Sequence, residues 1–167
     1  MNIFVPYPNA KRNAEMLDDL RLNKMIVESC QMLCSALHRY GVEDIPYKNS
    51  YPKHPCTLWA GDTYGNAQYL YNLARWMLEE RKFRGFGPHK CSGVLDFVSK
   101  NLSSIVRGPT THFVNCTADY KWLPVHAAYK FQMCKKWDED VKRPKWTRRG
   151  PPGFYINHLT HGRVDYV

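Results

Sequence analysis

Apolar residues recur every three or four positions along most of this chain, and that spacing predicts helices. The clearest stretch is 17–35, LDDLRLNKMIVESCQMLCS. Arg21, Lys24, Glu28, Gln31 and Ser35 fall on one helical face. Leu22, Met25, Ile26, Cys30, Leu33 and Leu37 fall on the other and read as core. Asn9 is placed to cap a first helix over 10–19, with Ala14 and Leu17 facing inward. The longer helix spans 20–40 and stops at Gly41. Residues 42–53 read as loop, and Pro55 opens a short helix over 55–60. Leu70, Leu73, Ala74, Met77 and Leu78 mark a long helix over 63–82, ended by Arg81, Lys82 and then Gly85 and Gly87. Val94, Val98, Leu102 and Ile105 mark another over 91–105. Residues 107–123 fit either a strand or an extended loop, and Pro124 opens a last helix to about 137.

Beyond that helix the pattern changes. Arg143, Lys145, Trp146, Arg148 and Arg149 crowd into seven residues and are followed by Gly150. This stretch reads as an extended basic arm over about 143–167, not as a packed helix. The expected architecture is all-α: a compact single-domain helical bundle over 1–167, with irregular loops and an extended basic C-terminal segment. No apolar run approaches the roughly 18–20 residues of a membrane span. The opening MNIFVPYPNAKR lacks a secretory leader, so a cytoplasmic protein is expected, in the host cytoplasm if the chain is phage-encoded.

Charge narrows the partners. Twenty-four Lys and Arg against fifteen Asp and Glu give a net charge of +9, which favours a polyanion through counterion release and long-range steering. Eleven Tyr and five Trp supply flat faces for stacking on bases. Double-stranded DNA is the expected partner, and oligomeric state is left open. Six cysteines, at 30, 34, 56, 91, 116 and 134, include no Cys-x-x-Cys pair. They read as core thiols in a reducing compartment, so neither a metal nor a cofactor is expected.

The candidate chemistry centres on Glu28, a carboxylate in a line of cations and amides. Lys24 and Arg21 favour its ionised form, whereas burial against the apolar wall favours the neutral one. Such a group can stabilise a developing cation at a sugar or imine, or shuttle a proton. His54, in the sequence HPC, and His89, in GPHKC, sit at loop-to-helix junctions where catalytic imidazoles are often placed. His112, His126, His158 and His161 lack such a setting. Arg21, Lys24, Gln31, Lys135, Arg143, Lys145, Arg148 and Arg149 are candidate DNA contacts, and Trp146 between them could stack on an exposed base. No Walker A loop, dinucleotide fingerprint, HExxH or GxSxG occurs.

These motifs, in this order, resemble the pyrimidine-dimer DNA glycosylase family, of the phage endonuclease V type. LDDLRLNKMIVES resembles the family helix in which an Asp lies nine residues before the catalytic Glu, here Asp19 and Glu28. WMLEERKFRGF resembles its middle helix, and RPKWTRR, through Arg143, Pro144 and Trp146, its C-terminal segment. MNIFVPYP, with the later His54, Pro55 and Trp59, looks closer to uncharacterised members grouped with that family. The resemblance implies an all-α domain that binds duplex DNA and flips a nucleotide out of the stack. It further implies an N-terminal α-amine that attacks the sugar C1′ to form an imine, assisted by the glutamate and followed by strand cleavage through β-elimination. An α-amine suits this step because its usual pKa near ~8 leaves a neutral fraction at pH 7.

One departure matters. The family exposes its nucleophile by removing the initiator Met before a small residue, and Asn2 is a poor context for that removal. Met1 would then stay and its own amine would serve. The leading expectation is an enzyme that extrudes a pyrimidine nucleotide and acts on it with Met1, Glu28, His54 and His89, most simply as a DNA glycosylase/AP lyase. A phage transferase that modifies a hydroxymethyluracil-derived thymine, using a small-molecule donor, is the alternative on the same scaffold. A non-catalytic DNA-binding protein is the third.

Overall fold

The helix that carries the polar line is the structural axis of the site. In the computed structural model, which describes residues 1–162, it runs Asp19–Arg39 (α2). Asp18 caps it by accepting from the Arg21 backbone N–H, and Gly41 ends it at a positive φ of 70°. All six residues predicted for its core face are buried. Before it, Asn9 caps a shorter helix, Ala10–Met16 (α1), which ends early because Leu17 turns extended to let Asp18 start α2. Pro55–Asp62 (α3) and Tyr64–Phe83 (α4) follow, and α4 packs against α1, α2 and α3. Cys91–Asn101 (α5) gives way to a 3-10 turn at Leu102–Ser104, so the helix expected over 91–105 tightens at its end.

Residues 107–123 form an irregular loop. It is tied down where Asn66 brackets Thr111 and where the Trp59 indole donates to the His112 carbonyl. The helix Val125–Glu139 (α6) comes next, with Tyr129 and Trp137 buried. The first residues of the chain run extended between these elements. Ile3, Phe4 and Val5 are buried, and His126 Nδ1–H donates to the Val5 carbonyl at 2.6 Å. Each such apolar side chain contributes about 1.5–3 kcal/mol when fully removed from water.

Over residues 143–162 the basic C-terminal segment differs from the extended arm expected of it, and the rest of that arm, 163–167, lies outside the described residues. Pro151 and Pro152 lead into a further helix, Gly153–His161 (α7), whose Phe154 and Tyr155 are buried. Trp146 lies against Trp137 and Tyr155 and donates its indole N–H to the Met16 carbonyl at 2.8 Å. The physical reason is a pair of buried charges. Glu80 and Arg84, one turn apart on α4, are both nearly inaccessible and pair at 2.8 Å. Arg149 closes on Glu80 with two hydrogen bonds, and Arg84 reaches Asp19 at 2.9 Å. Thr147 also caps Asp19, through its backbone N–H and its hydroxyl. The segment is thus clamped to α2 through Thr147 and to α4 through Arg149 and Arg148, two cations that looked free in the sequence. Among the described residues there is no strand, and no helix is long and apolar enough to cross a membrane.

Candidate active site

Glu28 faces away from the core of α2 toward the first two residues of the chain. Its side chain is 15% exposed. Oε2 accepts the Asn2 backbone N–H at 3.0 Å, and the Met1 amine lies 3.9 Å from the same oxygen. Lys24, one turn earlier and 68% exposed, places its ammonium 3.6 Å from Oε1. A cleft of about 360 Å³ opens over this carboxylate, lined by Met1, Leu20, Arg21, Lys24, Lys136 and Asp140 among others. The residues around Glu28 therefore come from three places: the amino terminus, α2 and α6.

Behind the amine the chain is held firmly. The Met1 side chain is 2% exposed and its sulfur receives the Thr57 hydroxyl at 3.7 Å. Asn2 Oδ1 accepts from the Tyr129 hydroxyl at 2.7 Å and from the Ile3 N–H at 2.8 Å. Tyr129 is fully buried, and its oxygen in turn accepts the Cys116 N–H at 3.2 Å. Sequence reasoning did not connect Tyr129 or Lys136 with Glu28. The signal was present in α6, since a phenol at a core position must find a polar partner for its hydroxyl.

His54 caps α3 with Nδ1 accepting the Cys56 N–H at 3.2 Å, so the neutral ring carries its proton on Nε2. Burial lowers its pKa, and the positive Met1 amine lowers it further against the opposing pull of Glu28. Those influences place His54 in the electrostatic neighbourhood of both groups. His89 is elsewhere. It starts α5 with an equivalent bond to Cys91 N–H and lines a different cleft with Arg75, Arg81 and Lys82, sharing no residue with the one over Glu28.

The expected DNA contacts divide in the same way. Lys24 faces the cleft, Gln31 lies half-buried one turn beyond Glu28, and Arg143, Lys145 and Arg148 are exposed. Arg21 lines the cleft, but its guanidinium is held by Asp140 at 2.7 and 2.8 Å and by Asp18 at 3.1 Å. Lys135 pairs with Asp119 at 2.6 Å and with Glu139. Arg149 belongs to the Glu80 clamp, and Trp146, partly exposed, packs against Trp137 and Tyr155.

A family model described as pyrimidine dimer DNA glycosylase matches residues 1–91. That span contains Met1, Glu28 and His54 and stops short of α6. No curated protein and no solved structure matches the chain.

Proposed function

From its membership of the pyrimidine dimer DNA glycosylase family, which implies action on DNA, we propose that the chain excises a damaged pyrimidine through its Met1 amine. The observation that carries this reading is the approach of that amine to within 3.9 Å of Glu28 Oε2 in a cleft edged by Lys24 and Lys136. The neutral amine attacks C1′ of a flipped nucleotide, the C1′–N bond breaks, and the base leaves with that bonding pair. Glu28 stabilises the cationic sugar that develops beside it, receives the proton the amine gives up and passes it to O4′ as the C1′–O4′ bond breaks, which opens the sugar to the imine. β-Elimination at the imine then cleaves the strand. His54, whose pKa burial and the Met1 amine lower, serves in this reading as a proton relay between the amine and solvent.

DNA is held in this reading by Lys24, Lys136, Arg143, Lys145 and Arg148, with Arg21 as the structural floor of the cleft. Asn2 does two jobs. It disfavours removal of Met1, and it fixes the backbone from which the amine projects. Borohydride treatment of the protein with ultraviolet-irradiated duplex DNA should trap a covalent adduct on residue 1, on a chain whose intact mass shows Met1 retained. Glu28→Gln should lower trapping by about 100-fold or more while leaving affinity for the duplex intact. Wild-type protein that traps no adduct and leaves the irradiated strand unbroken would remove the reading. Unchanged activity in Glu28→Gln would leave a DNA-binding protein with a different centre.

A further inference from the structure

Directly behind the amino terminus, two cysteines from distant parts of the chain meet. Cys56, in the first turn of α3, donates its thiol to Cys116, in the loop before α6, with the sulfurs 3.4 Å apart. Cys56 Sγ also lies 4.0 Å from Asn2 Oδ1, and the Cys116 N–H is the one received by Tyr129. The two differ in access: Cys56 is completely buried, whereas Cys116 is partly exposed. They differ in acidity as well. The thiol donated by Cys56, with help from Lys121 and the Met1 amine, lowers the Cys116 pKa against the effect of burial, and Cys56 is raised. An accessible, acidified thiol poised on a buried partner is the arrangement of a redox-responsive pair.

A second cysteine contact, between Cys30 and Cys91, provides a comparison within the same molecule. Both of those residues are buried, so no oxidant reaches either sulfur without local opening. Cys116 alone among the six is not fully buried.

We propose that Cys56 and Cys116 form an oxidation site, a reversible disulfide that displaces Asn2 and with it the Met1 amine from Glu28. The oxidant class is a hydroperoxide. The Cys116 thiolate attacks a peroxide oxygen, giving a sulfenic acid and, for hydrogen peroxide, one water once the released hydroxide takes the thiol proton. The Cys56 sulfur then attacks Cys116, the S–OH bond breaks, and the hydroxide leaves with the Cys56 proton as a second water. Two thiols and one peroxide thus become one disulfide and two waters. Closing the sulfurs from 3.4 Å to about 2.05 Å draws the loop toward α3, across the Asn2 amide and Tyr129. The effect on activity rests on the proposed function; the bond does not.

The experiment uses the full chain, reduced and then treated with hydrogen peroxide. Expected are a loss of two hydrogens in mass and a tryptic cross-link joining residues 54–75 to 108–121, reversed by dithiothreitol and absent in Cys116→Ser. Hydrogen exchange at the first backbone amides should quicken in the oxidised form, and borohydride trapping should fall about tenfold or more. A cross-link through Cys30 and Cys91, overoxidation of Cys116 with no link, or no reaction would overturn the site. A 56–116 link that leaves amide exchange unchanged would overturn the coupling. If the reduced protein traps no DNA, the glycosylase reading fails, and peptide mapping and exchange still decide this proposal. Should Cys116→Ser fold poorly, Cys116→Ala and the wild type compared before and after dithiothreitol give the same discrimination.

Discussion

Asn2 is the residue on which the geometry of the amine depends. Its backbone touches Glu28 and its side chain is fixed by Tyr129, so a group far along the sequence sets the direction of the first peptide unit. Tyr129→Phe keeps the edge-on contact with Phe4 but removes the hydroxyl and leaves the Cys116 N–H and Asn2 Oδ1 without that partner. The expected cost is about 1–2 kcal/mol of stability, read by denaturant unfolding. Adduct formation should slow at unchanged DNA affinity, a split that general loosening of the fold would not produce. Asp19 makes a second residue-scale prediction. Partial burial raises its pKa, but hydrogen bonds from Thr147 and the Arg84 guanidinium outweigh that and lower it below the usual carboxylate value. A carboxyl lowered in the folded state contributes stability that is present above about pH 4 and lost as pH falls through its folded pKa. Asp19→Asn should flatten the acid side of the stability profile, as thermal melts between pH 2 and 6 would show.

At the scale of elements, the clamp on the C-terminal segment deserves the strongest mutational test. Arg149→Met removes two charge-assisted bonds to Glu80 while Arg84 continues to neutralise that carboxylate. A loss of about 1.5–3 kcal/mol is expected, with proteolytic cleavage near 143–150 appearing before global unfolding. The helices themselves were legible in the sequence, because α2 and α4 repeat apolar positions over many turns and carry clear caps. The clamp was not, because an arginine that binds a buried glutamate from another element looks the same in sequence as one in water. Its trace lay in the aromatics: Trp146, Phe154 and Tyr155 are too many large rings for a solvated arm, and Pro151–Pro152 is a recognisable way to open a helix. Glu28 could be picked out by its place on the polar line. Its pairing with the amino terminus was implied by the family resemblance alone, since no periodicity connects residue 28 to a segment at residues 1–5.

Across the whole molecule, charge is sorted by place. Arg21, Arg84 and Arg149 are taken up by Asp140, Asp18, Glu80 and Asp19, three cations against four carboxylates, so the excess of +9 is carried by other residues. On the proposed function Lys24 and Lys136, which line the cleft, and the exposed Lys145 are among the cations that meet phosphates, and replacing each by Ala should reduce the salt dependence of duplex binding by about one unit of slope. Arg39 is the control. It lies three turns along α2 from Glu28, paired with Asp62 at 2.9 Å, and its replacement should leave the slope unchanged. Fluorescence titrations at several salt concentrations separate the two cases.

The seating of Met1 against Thr57 also bears on how the protein can be handled. A purification tag fused ahead of residue 1 would convert the primary amine into an amide, which has no lone pair to offer a sugar carbon. It would also thread a polypeptide into the cleft over Glu28. On the proposed function, such a preparation would grip DNA and do nothing to it, whereas the same tag joined after residue 167 would leave the chemistry whole.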